Sequence, residues 1–348
     1  MIPSAKHVRE STGSCGRSWA IFAAHFASSA SDSASRRFSV VLGRAAALGA
    51  AAFALLVLLP ATAHAWTPGT HVYLGEAVLR SLGSLPAAIA DLLRAFPYDF
   101  LYGSIAADTS MAKKYVPTGR HCHSWTVGFE IHDAAADEPT RAFALGYLSH
   151  LAADAIAHNH FVPMQLAVTA STSSLGHSYW ESRFETHLGP ACARQARDVI
   201  LLDHARADAL LDRILSPTIF STHTNRRIFR GMVHAADNEG WQRIFALMTE
   251  NSRWDLPDDD VARYVDRAYD MIVDFLIRMD RSEAYQLDPS GDEALRLAKQ
   301  VRRSALRSGG TERVQAEAMR HFALPSAEPG YARALASPLY VPNRSASI

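Results

Sequence analysis

One stretch of this sequence sets two histidines and an aspartate at helical spacing among apolar neighbours: His150-Leu-Ala-Ala-Asp154-Ala-Ile-Ala-His158. Steps of four residues advance about 40° around an α-helix, so the three polar side chains share one face. The apolar neighbours predict that this helix is buried. A buried carboxylate and two imidazoles are costly unless they pair with one another or bind a cation. The segment therefore predicts either a buried Asp–His hydrogen-bond network or a zinc site, since zinc binds imidazole nitrogen and carboxylate oxygen.

Histidine is concentrated in the middle of the chain, where eight of the 16 histidines lie between residues 121 and 187. Within this range, His177 and Glu181 form another i, i+4 pair on one helical face. Glu185 follows one turn later and provides a second acid on that face. This pair is a further candidate for metal ligation.

Three more candidate ligands lie in a segment that proline and glycine residues predict to be irregular, Pro97–Phe129. They are Asp108, His121 and His123. A loop of this length is expected to be functional or to be held by an interaction. Metal ligation by these side chains would order it.

Residues 1–65 have the pattern of a leader with a signal peptide. Three arginines precede an apolar run, Ala45–Leu59, that is too short to span a bilayer comfortably. An Ala-His-Ala sequence follows and predicts cleavage between Ala65 and Trp66. The exposed amine and the carbonyl oxygen of the new first residue could chelate a metal together, close to His71.

The remaining periodicity is helical, and no run alternates as a β-strand does. We therefore predict an all-α fold, a single compact multi-helix domain over residues 66–324. Residues 325–348 are rich in Pro, Ser, Ala and Gly and are predicted to form a flexible tail. The formal net charge is zero, and no basic face indicates a nucleic-acid partner.

The order of these residues resembles the zinc-dependent phospholipase C family, which is related to the S1/P1-type nucleases. The resemblance runs from Trp66 to about His187. The features that carry it are Trp66, His71-Val-Tyr-Leu, Ala106-Ala107-Asp108, a following loop histidine, Gly146-Tyr147-Leu148-Ser149-His150 with Asp154, a further histidine, and His177-x-x-x-Glu181. This ordered combination is more specific than any single pair.

The resemblance implies a fold of the phospholipase C and P1 nuclease type around two or three zinc ions. The ligands of the first ion would be Asp108, His121 or His123, and His150. Those of the second would be the Trp66 amine and carbonyl with His71, and Asp154 would bridge the two ions. Those of the third would be His158 or His160, His177 and Glu181. The helical face favours His158, whereas the spacing in the secreted phospholipases matches His160.

The resemblance also implies an exported phosphodiester hydrolase, periplasmic or extracellular, in which metal-activated water cleaves a phospholipid headgroup. Asp108 would serve as a metal ligand and as a general base. The partners would be the phospholipid and, peripherally, the membrane. The alternatives are an S1/P1-type single-strand nuclease and a non-catalytic zinc-binding protein, exported or attached to a membrane.

Overall fold

The computed structural model describes residues 66–110, 116, 120–169, 173–218, 220–325 and 330–342. Within these ranges the chain contains α-, 3₁₀- and π-helices and no β-strand, which confirms the predicted all-α class. In chain order the α-helices are α1 (Pro68–Arg80), α2 (Ala87–Ala95), α3 (Pro97–Ala106), α4 (Trp125–Asp133), α5 (Glu138–Ile156), α6 (Val162–Thr169), α7 (Ser173–Leu188), α8 (Ala191–Ile200), α9 (Ala205–Ile214), α10 (Thr222–Ala236), α11 (Glu239–Glu250), α12 (Asp258–Arg278) and α13 (Asp292–Phe322). The predicted leader lies outside the described residues.

The helix α5 is the centre of the fold and carries the His-Asp motif. It begins with a capping box, in which the Asp137 side chain accepts a hydrogen bond from the Thr140 amide at 3.0 Å. Every residue from 142 to 156 is buried. Because most of these residues are apolar and they lie on every side of the helix, α5 can pack against α3, α4 and α12 at once, with His150 and Asp154 as the buried polar exceptions that face the metal centre.

Two glycines allow α3 and α5 to cross closely. A Cβ added at Gly103 would lie 2.0 Å from a carbonyl oxygen of α5, and one added at Gly146 would lie 2.0 Å from a carbonyl oxygen of α3. No other residue type permits this approach. Because α3 leads directly into the 3₁₀ turn Ala107–Thr109, the crossing brings Asp108 beside His150.

The prediction that Pro97–Phe129 is irregular throughout is wrong. Its first ten residues form α3, and α4 begins at Trp125. Pro97 occupies the start of α3, where the missing N–H would have had no partner within the helix. Gly103 lies within α3 without ending it, and the close crossing with α5 is what requires glycine there.

Part of the segment that was predicted to form a tail packs against α12. The carboxylate of Asp270 accepts hydrogen bonds from the amides of Gly330 and Ala332, and the hydroxyl of Tyr340 donates to Asp258 at 2.6 Å. These contacts hold residues 330–342 at their two ends. The predicted domain boundaries themselves stay a prediction. Of the helices that the structure describes, none has the length and apolar character needed to cross a bilayer.

Candidate metal centre

The carboxylate of Asp154 is the point at which several histidines meet. Its Oδ1 lies 3.2 Å from Nε2 of His71 on α1. Its Oδ2 lies 2.9 Å from Nε2 of His123 and 3.1 Å from Nε2 of His150. All of these side chains are buried. A buried anion among ring nitrogens is the arrangement that the sequence predicted from one helix, completed here by two other segments of the chain.

Asp108, His123 and His150 form the first cluster of candidate ligands. Oδ1 of Asp108 lies 3.3 Å from Nε2 of His123, and the Nε2 atoms of the two histidines are 3.1 Å apart. Nδ1 of His150 donates to the carbonyl oxygen of Ser104 at 2.9 Å, because a carbonyl can only accept. This hydrogen bond fixes the tautomer and directs the other nitrogen of the ring into the cluster.

His71, His150 and Asp154 form the second cluster, which shares His150 with the first. The rings of His71 and His150 stack with their centroids 3.9 Å apart. The two clusters are therefore contiguous, and both contain His150. The Asp154 carboxylate contacts members of both clusters, His71 through Oδ1 and His123 and His150 through Oδ2.

His158, His177 and Glu181 form the third cluster, in which the ligand atoms lie within 4.8 Å of one another. His158 lies on a π-helical segment, Ala157–Phe161, that continues α5, and such segments are frequent at functional sites. His177 and Glu181 lie on α7, with Nε2 and Oε1 2.7 Å apart. Nδ1 of His158 donates to the carbonyl oxygen of Pro289 at 2.6 Å.

Burial and neighbouring charge set the protonation of the clusters. Burial, followed by the charge of His150, lowers the pKa of His71 from 6.5 to about 4. Burial also lowers the pKa of His158 well below its ordinary value. Burial opposes ionisation of Asp154, but His150 and hydrogen bonds from the surrounding histidines outweigh it and hold the pKa well below the usual range. Neutral imidazole and ionised carboxylate are the forms that bind metal.

A buried nitrogen without a hydrogen-bond partner fits a metal ion at the third cluster. Nε2 of His158 is completely buried and has no hydrogen-bond partner. Leaving such a lone pair unsatisfied costs free energy of the order of 1–3 kcal/mol. A cation held with His177 and Glu181 would satisfy it, and two nitrogens with a carboxylate oxygen are donors that suit zinc.

In two pairs of histidines the sequence left open which member is the ligand, and in the structure the two members of each pair have different contacts. Of the pair in the loop, His123 belongs to the first cluster, whereas Nδ1 of His121 accepts a hydrogen bond from the His123 amide at 3.1 Å. His121 does place a ligand atom within 4.8 Å of Cys122 and His123. Of the other pair, His158 belongs to the third cluster, whereas Nδ1 of His160 donates to the carbonyl oxygen of Ala323 at 3.1 Å.

The side chain of Trp66 is part of the core. Its ring is fully buried against those of Phe184 and Phe161, with centroids at 4.1 Å and 5.0 Å, and its Nε1 donates to the carbonyl oxygen of Ala153. This anchor holds the start of the described chain against the residue that precedes Asp154. The backbone of Trp66 is therefore fixed near α5.

Glu185 has a role that the sequence did not indicate. Its carboxylate accepts hydrogen bonds from the Thr67 hydroxyl and from the amides of Gly69 and Thr70 at the first turn of α1. Burial raises its pKa, against the effect of these hydrogen bonds. Glu185 thus ties α7 to α1 and does not join the clusters. Only the tertiary contact between the two helices reveals this role.

The family model described as zinc dependent phospholipase C matches residues 70–225. This region belongs to the zinc-dependent phospholipase C family. No curated protein matches the chain, and no solved structure matches it either. All three clusters lie within the zinc-dependent phospholipase C region, whereas Pro289 lies beyond it. Membership supports a zinc-dependent hydrolase of phospholipids, in agreement with the resemblance in the sequence.

Proposed function

We propose that this protein is an exported phospholipase C that hydrolyses the phosphodiester bond of phospholipid headgroups with a cluster of zinc ions. The observation that carries the proposal is the convergence of the three clusters on α5, around the buried carboxylate of Asp154. Such a concentration of imidazole and carboxylate groups in a core has no use in packing alone. Such groups can instead serve to hold divalent cations.

The proposed ligands follow the clusters. Asp108, His123 and His150 would hold one zinc ion, and His158, His177 and Glu181 would hold another. His71 would hold a further ion together with the amine and carbonyl of Trp66, and Asp154 would bridge it to the first. When bound, zinc would lower the pKa of a coordinated water to about 7 and would offset charge on the phosphoryl oxygens.

Asp108 is proposed to act as the general base. Its carboxylate would accept a proton as the oxygen of water bonds to phosphorus. The bond from phosphorus to the glycerol oxygen would break, and the leaving oxygen would take up the proton that Asp108 had accepted, to give diacylglycerol and a phosphorylated headgroup. Burial of Asp108 beside His123 keeps the carboxylate in one position, which is the condition for efficient proton transfer.

Export and N-terminal processing are part of the proposal. The apolar run Ala45–Leu59 and the Ala-His-Ala sequence before Trp66 support cleavage after Ala65. The free amine is needed for the proposed chelate, so processing and metal binding would be linked. The burial of the Trp66 side chain supports a fixed position for that amine.

The test uses the chain that begins at Trp66. We expect two or three zinc ions per chain and release of phosphocholine from phosphatidylcholine vesicles, with no nucleotide release from single-stranded DNA. The Asp108→Asn variant is expected to lose hydrolysis by ~10²–10⁴-fold, and treatment with EDTA is expected to abolish it until zinc is restored. A surface variant, Asp133→Asn, serves as the matched control, because this side chain is 77% exposed.

The alternatives give different results in the same experiment. Nucleotide release without lipid cleavage would identify the nuclease. Bound zinc without turnover on either substrate would identify a non-catalytic zinc protein. A chain that holds no zinc and keeps its stability in EDTA would overturn the proposal completely.

A further inference from the structure

A short loop outside the family match contacts the metal centre through its backbone. The loop is Leu287–Gly291, which we call the carbonyl loop, and it lies immediately before α13. Three of its consecutive carbonyl oxygens each accept a side-chain hydrogen bond. The bonds are Trp125 Nε1 to Leu287 at 2.9 Å, Asn159 Nδ2 to Asp288 at 2.8 Å and His158 Nδ1 to Pro289 at 2.6 Å.

All three donors adjoin or belong to the candidate ligand set. Trp125 lies two residues after His123, and Asn159 follows His158 directly. A loop with one such contact would be ordinary. Three successive hydrogen bonds indicate that the carbonyl groups of this loop are oriented towards the residues around His158.

The conformation of the carbonyl loop is itself held in place. The carboxylate of Asp288 accepts hydrogen bonds from the Ser290 amide at 3.0 Å and from the Ser290 hydroxyl at 2.6 Å. The Gly291 amide closes the turn by donating to the Asp288 carbonyl at 3.0 Å. Gly291 has a φ of +60°, which favours glycine. These bonds fix the direction of the Pro289 carbonyl.

Gly291 also determines how closely the loop approaches His158. A Cβ added at Gly291 would lie 2.4 Å from Cβ of His158 and 2.5 Å from its carbonyl oxygen. Any side chain at this position would push the histidine or the loop away. Gly291 thus packs directly against the backbone and the Cβ of His158, which leaves little freedom for the imidazole.

The hydrogen bond to Pro289 decides which nitrogen of His158 faces the third cluster. Because the carbonyl can only accept, Nδ1 carries the hydrogen, and Nε2 presents its lone pair towards His177 and Glu181. An outer partner that orients a ligating histidine in this way typically changes metal affinity by ~10–100-fold when it is removed.

We propose that the carbonyl loop is a positioning element that sets the metal affinity of the His158–His177–Glu181 cluster. The inference rests on the proposed zinc site, and it assigns to residues outside the zinc-dependent phospholipase C region a part in completing that site. Pro289 and Gly291 act through His158 and are positioning residues.

The test compares Gly291→Ala with Gly310→Ala in the full chain from Trp66. Gly310 has a φ of +71° and no atom within 4 Å of an added Cβ, so its variant reports backbone strain alone. Zinc retained per chain is measured against graded chelator concentrations. We expect one zinc ion to bind ~10–100-fold more weakly in Gly291→Ala, while the other ions and the whole Gly310→Ala variant retain wild-type affinity.

A second variant and a spectroscopic measurement keep the result decisive if Gly291→Ala does not fold. Asn159→Ala removes one bond to the carbonyl loop and is expected to weaken the same zinc ion. In metal-free wild-type protein, NMR of labelled histidine is expected to find the Nδ1–H tautomer of His158, and Asn159→Ala to shift that signal.

The outcomes separate this inference from the proposed function. If wild-type protein binds no zinc, the proposed function fails. If wild-type protein binds zinc but Gly291→Ala or Asn159→Ala holds every ion as tightly as Gly310→Ala does, the positioning role is wrong and the zinc site stands.

Discussion

Oδ2 of Asp154 lies 2.9 Å from Nε2 of His123, although one residue lies near the C-terminal end of α5 and the other in the loop before α4. The same carboxylate reaches His71 on α1 through its other oxygen. One side chain therefore connects three segments of the chain. Its neutralisation should affect more than one metal cluster.

Asp154→Asn is expected to lose affinity for more than one zinc ion. An amide keeps the volume of the side chain but removes the negative charge that two cations would share. Because loss of an outer partner already costs ~10–100-fold in affinity, loss of this inner carboxylate should cost at least as much, and hydrolysis should fall with it. Zinc analysis after dialysis measures the effect, with Asp133→Asn as the control. A variant that retained every ion would refute the bridging role.

His123→Ala and His121→Ala should differ. His123 lies between Asp108 and His150 in the first cluster, so its loss should remove a zinc ion and reduce hydrolysis by at least ~100-fold. His121 lies outside this cluster and accepts a hydrogen bond from the His123 amide, so its loss should reduce affinity modestly. Zinc stoichiometry and turnover on phosphatidylcholine vesicles are the measurements. A greater loss in His121→Ala would reverse the assignment.

The same comparison applies to His158 and His160. His158→Ala removes a nitrogen from the third cluster, whereas His160→Ala removes the hydrogen bonds from Nδ1 to the carbonyl oxygens of Ala323 and Phe322. We expect loss of one zinc ion in the first variant and full zinc content in the second. His160→Ala should instead lower the free energy of unfolding by about 1 kcal/mol, measured by urea denaturation.

Gly146→Ala is expected to destabilise the fold and to weaken metal binding together. The added methyl would meet a backbone carbonyl of α3, so the two helices must move apart, at a cost of about 2–3 kcal/mol. The same movement would separate Asp108 from His150. Gly231→Ala in α10 is the control, because no atom lies within 4 Å of its added Cβ, and it should stabilise by about 0.5–1 kcal/mol. Equal effects in the two variants would argue against the close crossing.

His204 provides a pH-dependent prediction away from the metal centre. Its ring stacks on that of Tyr102, its Nε2 donates to the Val199 carbonyl at 2.7 Å, and burial lowers its pKa below the ordinary 6.5. The imidazole of the unfolded chain, with its pKa near 6.5, binds the proton more strongly than the buried imidazole does. As the pH falls from 6.5 to the folded-state pKa, protonation therefore favours the unfolded chain, and the free energy of unfolding decreases.

His204→Phe should keep the ring stack but lose the hydrogen bond. At about pH 7.5 the variant should be less stable by about 1 kcal/mol. Below the ordinary pKa the difference should shrink, because only the wild type is penalised by protonation. Urea unfolding across this pH range measures the difference in free energy, in which the other titrating groups largely cancel. A difference that grew in acid would contradict the predicted direction.

The sequence alone predicted the all-α fold, because helical periodicity is a local property of the chain. Local geometry also places His150 and Asp154 on one face of α5, and His177 and Glu181 on one face of α7. The resemblance to the zinc-dependent phospholipase C family, supported by the match to residues 70–225, assembled these pairs with Asp108 and His71 into one site.

Only the tertiary structure places His123, rather than His121, beside Asp108 and His150, and His158, rather than His160, beside His177 and Glu181. Each pair is two residues apart, and which ring reaches the centre depends on how α3, α5 and α7 pack around it. The carbonyl loop was beyond sequence reasoning for a related reason. Its contribution to His158 comes from a backbone carbonyl more than a hundred residues away, and every residue carries such a carbonyl, so no side-chain pattern could have marked it.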